Sequence, residues 1–351
     1  MITVHINAGE GYDVLIGGGL LGSGERLFGR VEGAVKALAV FDDNVYRLHG
    51  ERIMTEIRSE GIQAEAFVFP HGEQSKNLQT YGRILETACS LGLDRNDIMI
   101  AAGGGITGDL TGFAAATYKR GIRFIQLPTS LLAAVDSSVG GKTGINLSSG
   151  KNQAGCFHQP SLVICDTELM KTLPEREYFC GCAEIIKYAM IGSADLFDQI
   201  RTTPVKEQYG QIVSTCVEMK KRYVEEDEFD RGPRMMLNFG HTLGHAVELC
   251  SGYTVLHGEA VASGMAAVTR AACRLGICRA GVSEQLDSLL AGYSLPHRID
   301  YPAENLVRAA AGDKKNTGGR TNLIVPETVG TCRIINMPAD ELKKWIREGC
   351  V

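Results

Sequence analysis

The stretch Ile98-Met-Ile-Ala-Ala-Gly103-Gly-Gly-Ile-Thr-Gly108-Asp109 decides the fold, because an apolar run passes directly into closely spaced glycines and then into a helical pattern. Its glycines match the Gly-x-Gly-x-x-Gly spacing found where a strand leads into a phosphate-binding helix. It departs from the usual dinucleotide fingerprint, since no acidic residue ends the next strand about 20 residues later. A flexible turn that binds no ligand therefore stays open as an alternative.

On both sides of this stretch, β-rich runs alternate with helical patterns, which predicts parallel strands joined by crossover helices. The predicted strands are 35–41, 64–69, 97–102 and 124–127, and the predicted helices are 45–60 and 78–91. Asp42 follows the first of these strands, where a carboxylate could bind ribose hydroxyls. Beyond residue 165 helical periodicity dominates, with predicted helices at 175–190, 205–228, 235–250 and 258–275 and strands at 321–325 and 332–335.

These patterns predict two domains, which is also the better expectation for 351 residues. Residues 1–165 should form a Rossmann-like parallel-sheet α/β domain, and residues 166–351 a mainly α-helical domain. We expect a ligand site in the cleft between them, a common position for small-molecule sites.

Charge and cysteine usage narrow the class of protein. The 36 basic and 41 acidic residues give a net charge of −5 without long runs of one sign, which argues against a nucleic-acid partner. Eleven cysteines without a Cys-x-x-Cys pair are typical of reduced thiols. We see no secretory signal and no apolar run of about 18 residues. These features predict a cytoplasmic protein without a membrane partner.

Three of the eight histidines lie close together, at His241, His245 and His257. Helical spacing would stack His241 and His245 one turn apart, and imidazole is a common zinc ligand. The segment is therefore a candidate metal site, with packed or solvated histidines as the alternative. A triphosphate-binding loop at Gly141-Lys142-Thr143 is excluded, because the motif requires glycine where Asp136 stands.

Several cationic and amide side chains recur beside small residues, and taken singly each is typical of a solvated surface. Their motifs are Asp136-Ser-Ser-Val-Gly-Gly-Lys-Thr-Gly-Ile-Asn146, Gly150-Lys-Asn152, Leu173-Pro-Glu-Arg-Glu177, Ala183-Glu-Ile-Ile-Lys-Tyr188, Leu237-Asn-Phe-Gly-His-Thr-Leu-Gly-His245 and Leu256-His-Gly-Glu-Ala260. Together, and in this order, they closely resemble the 3-dehydroquinate synthase family, over about residues 12–335.

The resemblance implies a homodimeric lyase of the shikimate pathway, which leads to the aromatic amino acids. Such an enzyme converts 3-deoxy-D-arabino-heptulosonate 7-phosphate into 3-dehydroquinate and phosphate. It uses NAD⁺ and a divalent metal, zinc or cobalt, for transient oxidation, phosphate β-elimination, re-reduction, ring opening and aldol closure. The first domain would then bind NAD⁺ and the second the metal and substrate.

The resemblance also implies a role for individual residues. The implied metal ligands are Glu184, His241 and His257, so that His245 would face the substrate. The implied NAD⁺ site comprises Asp42, Asn44, Glu73, Lys76, Gly104, Gly105, Asp109, Thr129, Ser130, Lys142, Lys151 and Thr172. The implied substrate and catalytic residues are Asp136, Lys142, Asn152, Lys187, Lys220, Arg234, Asn238, His245 and Lys314, with Arg120 reaching across the dimer. Ser130 stands where the family commonly has threonine, and Lys315 is an alternative to Lys314.

Three other interpretations stay open. Another sugar phosphate cyclase, such as 2-deoxy-scyllo-inosose or 2-epi-5-epi-valiolone synthase, would keep both cofactor and metal, but Gly141-Lys142-Thr143 and Leu237-Asn238-Phe239 follow the dehydroquinate synthase form. A metal-dependent alcohol or glycerol dehydrogenase would not need so many phosphate-binding cations. A catalytically inactive binding protein should have lost at least one of Glu184, His241, His257, Lys187 and Arg234.

Overall fold

The computed structural model describes residues 1–311 and 319–350. Lys314 and Lys315 lie outside the described residues, so the choice between them stays a prediction. The described chain divides into two compact units. The first contains Met1–Pro174 and Tyr209–Phe229, and the second contains Glu175–Gln208 and the chain from Asp230 onward.

A twisted seven-stranded sheet forms the centre of the first unit. The strands of this unit are β1 (Ile2–Ile6), β2 (Tyr12–Gly17), β3 (Lys36–Asp42), β4 (Gln63–Phe69), β5 (Ile98–Gly103), β6 (Arg123–Pro128), β7 (Lys142–Leu147), β8 (Gly150–Phe157) and β9 (Leu162–Asp166). The sheet order is β1-β2-β9-β6-β5-β3-β4, and only the β1–β2 pair is antiparallel. The predicted Rossmann-like parallel sheet is therefore confirmed, and all four predicted strands belong to it.

Helices cover both faces of this sheet. They are α1 (Asp43–Val45), α2 (Glu51–Ser59), α3 (Leu78–Ser90) and α4 (Gly105–Thr117). Successive residues of β5 point to opposite faces, with Ile100 in one apolar cluster and Met99 in the other. A parallel strand buried on both faces reads as an uninterrupted apolar run, which is why 98–102 was recognisable in the sequence.

The second unit is mainly helical, as predicted. Its helices are α5 (Glu175–Gly192), α6 (Ala194–Thr202), α8 (His241–Cys250), α9 (His257–Arg274), α10 (Val282–Gly292), α11 (Ala303–Ala311) and α12 (Leu342–Gly349), and its strands β10 (Arg320–Thr328) and β11 (Thr331–Pro338) form an antiparallel hairpin. Among the described residues, no helix has both the length and the apolar character to cross a membrane.

The helix that lies between α6 and α8 in the chain, α7 (Tyr209–Glu226), differs from the sequence-based division. The boundary at residue 165 stays a prediction, but it assigns 205–228 to the second domain, whereas α7 belongs to the first compact unit. Helical periodicity shows that a segment has an apolar face, not which core that face packs against.

The prediction of one continuous helix over 235–250 is wrong, because this segment forms two separate elements. A 3-10 turn at Pro233–Asn238 ends before Gly240, and α8 begins only at His241. Gly240 has a φ of 79°, and a Cβ there would lie 2.7 Å from the carbonyl oxygen of Val261 in α9. Only glycine combines this left-handed turn with such a close approach of two backbones.

Candidate functional site

Three helices of the second unit bring a carboxylate and two imidazoles together. Glu184 lies within α5, while His241 and His257 are the first residues of α8 and α9. Glu184 Oε1 lies 3.8 Å from His241 Nε2 and 3.5 Å from His257 Nε2. The three ligand atoms all lie within 4.8 Å of one another. We call these three residues the Glu184 cluster.

The electrostatics of the Glu184 cluster depend on a buried negative charge. Glu184 is 1% exposed, and its carboxylate contacts the equally buried ammonium group of Lys187. Burial lowers the pKa of His241 well below that of an ordinary histidine, and Lys187 adds to this effect. Loss of hydration also acts to lower the pKa of His257, but the carboxylates of Glu184 and Glu248 raise it to about 10. His241 is therefore neutral, whereas His257 carries a proton that it would have to lose before it could bind a metal ion.

A second group of ligand atoms overlaps the first. His245, Glu248 and His257 also lie within 4.8 Å of one another. Glu248 is 2% exposed, and its Oε1 lies 3.5 Å from His257 Nδ1, on the opposite side of the ring from Glu184. Sequence reasoning misses Glu248, although its position three residues after His245 is a visible signal in the sequence. Both groups of ligand atoms include His257, but Glu184 lies beside its Nε2 and Glu248 beside its Nδ1. Glu248 is therefore positioned to fix the orientation of the His257 ring relative to Glu184.

Other predicted residues of the second unit lie on neighbouring elements. Lys187 follows Glu184 by one turn of α5, and its ammonium lies 4.8 Å from the centroid of the Tyr188 ring. Arg234 is 1% exposed in the 3-10 turn, and Asn238 Nδ2 donates to the carbonyl oxygen of Met235 at 3.1 Å. His245 lies one turn after His241, with ring centroids 5.7 Å apart.

Residues expected at the NAD⁺ site gather at one edge of the sheet in the first unit. Asp42, Gly103 and Pro128 end β3, β5 and β6, and the carboxyl ends of parallel strands form the usual ligand-binding edge of such sheets. Thr129 N donates to the carbonyl oxygen of Gly103 at 3.0 Å. The other members of the expected set that belong to this unit are Asn44, Glu73, Lys76, Gly104, Gly105, Asp109, Ser130, Lys142, Lys151 and Thr172.

The glycine turn after β5 fits a bound phosphate. Gly104 is the N-cap of α4 and has no side chain with which to cap the helix. A Cβ on Gly103 would collide with the side chain of Thr107, so the turn cannot be built from larger residues. A helix N-terminus whose amides face outward in this way is a common anion-binding site.

Next to this turn, a network of polar side chains, most of them buried or half-buried, connects several predicted residues. Lys76 Nζ, on a residue only 5% exposed, donates to Asp109 Oδ2 at 2.5 Å and to Asn152 Oδ1 at 2.6 Å. Burial raises the pKa of the Asp109 carboxyl, and Lys76 opposes that rise. The Glu73 carboxylate accepts from Asn146 Nδ2 at 2.6 Å and lies 3.5 Å from Lys151 Nζ. We call Glu73, Lys76, Asp109, Asn146, Lys151 and Asn152 the Lys76 network.

Asn146 is the member of the Lys76 network that sequence reasoning missed. It was visible as the last residue of the motif that begins at Asp136, but amides are common on strands and nothing in its type indicated a role. Its contacts depend on the pairing of β7 with β8, which a sequence pattern does not supply.

The remaining predicted residues of the first unit occupy separate positions. Lys220 Nζ, from α7, lies 3.0 Å from Asp136 Oδ1 and donates to its carbonyl oxygen at 2.8 Å. Lys142 is exposed at the start of β7. Arg120 is also exposed, in a turn where its φ is 68°. The structure thus brings Lys220 to Asp136 and Lys76 to Asn152, while no described contact joins Arg120 to either pair.

Comparison with known proteins identifies the family. Residues 66–180 match the model of the 3-dehydroquinate synthase N-terminal domain, and residues 181–316 match that of the C-terminal domain. The 3-dehydroquinate synthase of Streptococcus sanguinis is 39% identical over 346 residues, which cover 96% of this chain and 97% of that protein.

Two solved structures are also similar. A 2-deoxy-scyllo-inosose synthase complexed with carbaglucose-6-phosphate, NAD⁺ and Co²⁺ is 26% identical, with a TM-score of 0.88 and coverage of 99% of this chain and 100% of that one. A 2-epi-5-epi-valiolone synthase from Streptomyces hygroscopicus with NAD⁺ and Zn²⁺ bound is 25% identical, with a TM-score of 0.87 and coverage of 96% of each chain. From the two domain models and the full-length relative, this chain belongs to the 3-dehydroquinate synthase family.

Proposed function

We propose that this chain is an NAD⁺- and metal-dependent 3-dehydroquinate synthase, which converts 3-deoxy-D-arabino-heptulosonate 7-phosphate into 3-dehydroquinate and phosphate. The observation that carries the proposal is the Glu184 cluster, a buried carboxylate facing two imidazoles, in a chain of this family. The oxidation step that the cyclases share requires a group that assists proton loss from a sugar hydroxyl. A divalent metal ion can do this, and the Glu184 cluster has the ligand types that such an ion needs.

Glu184, His241 and His257 would hold the divalent ion. One carboxylate and two imidazoles form a typical three-ligand catalytic site for zinc or cobalt, with positions left for substrate oxygens. His245 lies beside this set and would face the substrate. Glu248 would hold Nδ1 of His257, which leaves Nε2 for the ion.

The turn at Gly104 and Gly105 would bind the NAD⁺ pyrophosphate, and Asp42 the ribose hydroxyls. When bound, NAD⁺ would take the hydride from C5 and return it there, and the divalent ion would lower the cost of removing the C5 hydroxyl proton. The residues assigned to the cofactor are Asp42, Asn44, Glu73, Lys76, Gly104, Gly105, Asp109, Thr129, Ser130, Lys142, Lys151 and Thr172.

A substrate with a phosphate, a carboxylate and several hydroxyls needs many fixed donors. Cationic side chains provide donors without competing acceptors, and orientation by them supplies much of the catalysis. We assign donation to the substrate to Lys142, Asn152, Lys187, Lys220, Arg234, Asn238, His245 and Lys314, with Asn152, Arg234, Asn238, His245 and Lys314 at the phosphate, and we assign substrate binding as an acceptor to Asp136. The substrate phosphate itself then takes the C6 proton as the C7–O bond breaks, and it leaves as inorganic phosphate, so no separate general base is needed.

We further propose that the protein is a cytoplasmic homodimer in which Arg120 reaches the substrate bound to its partner. The support is the family resemblance of the Arg120 segment and the exposure of this side chain. Light scattering would measure the mass of the particle in solution, and a monomeric mass would contradict the dimer. That substrate binds in a cleft between the domains stays a prediction.

Identification of the product separates this proposal from the rival cyclases. The wild-type protein, with NAD⁺ and Co²⁺, is incubated with the heptulosonate phosphate and with the sugar phosphates of the rivals, and products are identified by NMR. We expect 3-dehydroquinate from the heptulosonate phosphate alone, and none from Glu184→Gln. A cyclitol from another sugar phosphate, without 3-dehydroquinate, would contradict the proposal.

A further inference from the structure

The hairpin formed by β7 and β8 contains an irregularity at Asn146. The strands pair from Lys142 opposite Phe157 to Ile145 opposite Ala154, and pairing resumes only at Leu147 opposite Gly150. Asn146 therefore lies at a bulge, outside the regular ladder. Bulges of this kind redirect a side chain from the face of a sheet to a specific target.

Three polar groups of Asn146 form hydrogen bonds to residues outside β7. Its backbone N donates to the carbonyl oxygen of Lys76 at 2.9 Å. Its Oδ1 accepts from the backbone N of Asn152 at 2.8 Å. Its Nδ2 donates to Glu73 Oε1 at 2.6 Å. Asn146 thus joins the segment 73–76 to Asn152 in β8.

The contact with Asn152 matters because its backbone is not in a regular strand conformation. Asn152 has a φ of 52°, in the left-handed region that glycine and, less often, asparagine occupy and that a regular strand does not contain. By accepting the Asn152 N–H, Asn146 takes the place of the missing ladder partner. This backbone geometry directs the Asn152 side chain to Lys76, whose ammonium donates to its Oδ1 at 2.6 Å.

We propose that Asn146 is a positioning residue that fixes Asn152, Glu73 and Lys76 relative to one another. This inference rests on the proposed function, which assigns Asn152 to the substrate phosphate and Glu73 and Lys76 to NAD⁺. Asn146 then couples the substrate site to the NAD⁺ site. Its Oδ1 holds Asn152, which is assigned to the substrate phosphate, and its Nδ2 holds Glu73, which is assigned to NAD⁺. It need not touch either ligand to do so.

Two substitutions separate these functions of Asn146. Asn146→Asp keeps an oxygen for the Asn152 N–H but removes the donor to Glu73 and places a second carboxylate beside it. We expect its dissociation constant for NAD⁺ to rise on the order of tenfold, as for the loss of a charge-assisted hydrogen bond, while KM for the heptulosonate phosphate changes less than about twofold. Asn146→Ala removes both contacts and should raise both constants, with kcat/KM falling on the order of tenfold to a hundredfold.

The matched control is Asn7→Ala. Asn7 Nδ2 donates to Glu225 Oε1 at 2.9 Å, an amide–carboxylate contact in the same unit that involves no member of the Lys76 network. We expect both constants to stay within about twofold of the wild type, because ordinary surface substitutions have small effects. Thermal unfolding of each variant measures the structural cost separately.

The measurements are calorimetric titration with NAD⁺ and steady-state kinetics with the heptulosonate phosphate. Folded Asn146 variants with wild-type constants, or an Asn146→Asp variant in which both constants rise equally, would overturn the inference. If Asn146→Ala does not fold, the split in Asn146→Asp decides the question. Absence of turnover by the wild type would refute the proposed function instead, and the NAD⁺ titration of Asn146→Asp would still show either the tenfold rise or its absence.

Discussion

The Lys76 network and the Glu184 cluster balance their buried charges in different ways. In the network each carboxylate faces a lysine, with Asp109 at 2.5 Å from Lys76 and Glu73 at 3.5 Å from Lys151. In the cluster, Glu184 and Glu248 together raise the pKa of His257 to about 10, so a proton on that ring balances part of the charge. A site balanced by fixed side chains is ready before its ligand arrives, whereas a site balanced by a proton must exchange that proton for an ion.

The largest expected effect is loss of the metal when a member of the Glu184 cluster is removed. Glu184→Ala, His241→Ala and His257→Ala should each weaken metal binding by more than the roughly hundredfold that loss of an outer-shell partner costs, and abolish turnover. His245→Ala should retain the ion, and serves as the control from the same helix. Metal content after dialysis measures the effect. If His257→Ala kept its metal and His245→Ala lost it, His245 and not His257 would be the metal ligand.

Arg234→Ala should have the next largest effect. A guanidinium offers paired donors to phosphate, and a charge-assisted contact contributes about 1.5–3 kcal/mol, roughly ten- to a hundredfold in kcat/KM. Binding of NAD⁺ and metal should be unchanged. The exposed neighbour Arg231 provides the control, since Arg231→Ala should alter stability by only a few tenths of a kcal/mol. An unchanged kcat/KM in folded Arg234→Ala would remove this residue from the site.

Metal affinity should depend on pH because of the proton on His257. The pKa of this ring is raised, so it carries a proton below about pH 10 and must lose it to bind the ion. Affinity should therefore rise with pH, by about tenfold per unit for one proton, and level off near pH 10. The lowered pKa of His241 means that this ring contributes no proton at neutral pH. Competition with a chelator at pH 7, 8 and 9 measures how metal affinity changes with pH. A metal affinity that does not change over this range would contradict the idea that a proton on His257 balances the charge of the Glu184 cluster.

The smallest expected effect is that of metal removal on NAD⁺ binding. Because the Lys76 network balances its charges with its own side chains, chelation should leave the dissociation constant for NAD⁺ within about twofold of its value in the loaded protein. Calorimetric titration of the same preparation before and after chelation gives the comparison. A fall in NAD⁺ affinity that follows the loss of metal would show that the two regions are not independent.

How much the sequence predicted depends on the range of the interaction. The strand at 98–102 and the helix at 78–91 were predictable, because apolar runs and helical periodicity are local signals. The break at Gly240 was not, since it depends on contact with Val261 in α9. The bulge at Asn146 was missed for the same reason, because strand pairing across a hairpin decides it.

The candidate metal site illustrates the same limit. The clustering of histidines pointed to His241, His245 and His257. Helical spacing favoured His245 as the partner of His241, and only the family resemblance pointed to Glu184. In the structure, α5, α8 and α9 bring those residues together from positions far apart in the chain. Spacing within one helix cannot predict a carboxylate on another, so the sequence pattern found both histidines of the Glu184 cluster and missed Glu184.

The most direct test of the proposed function is to follow free phosphate and NADH together as the wild-type protein acts on the heptulosonate phosphate. An enzyme that restores its cofactor in each turnover should release phosphate far in excess of the NAD⁺ supplied, with no net accumulation of NADH. Release of one NADH for each substrate consumed would contradict this account and place the protein among the dehydrogenases.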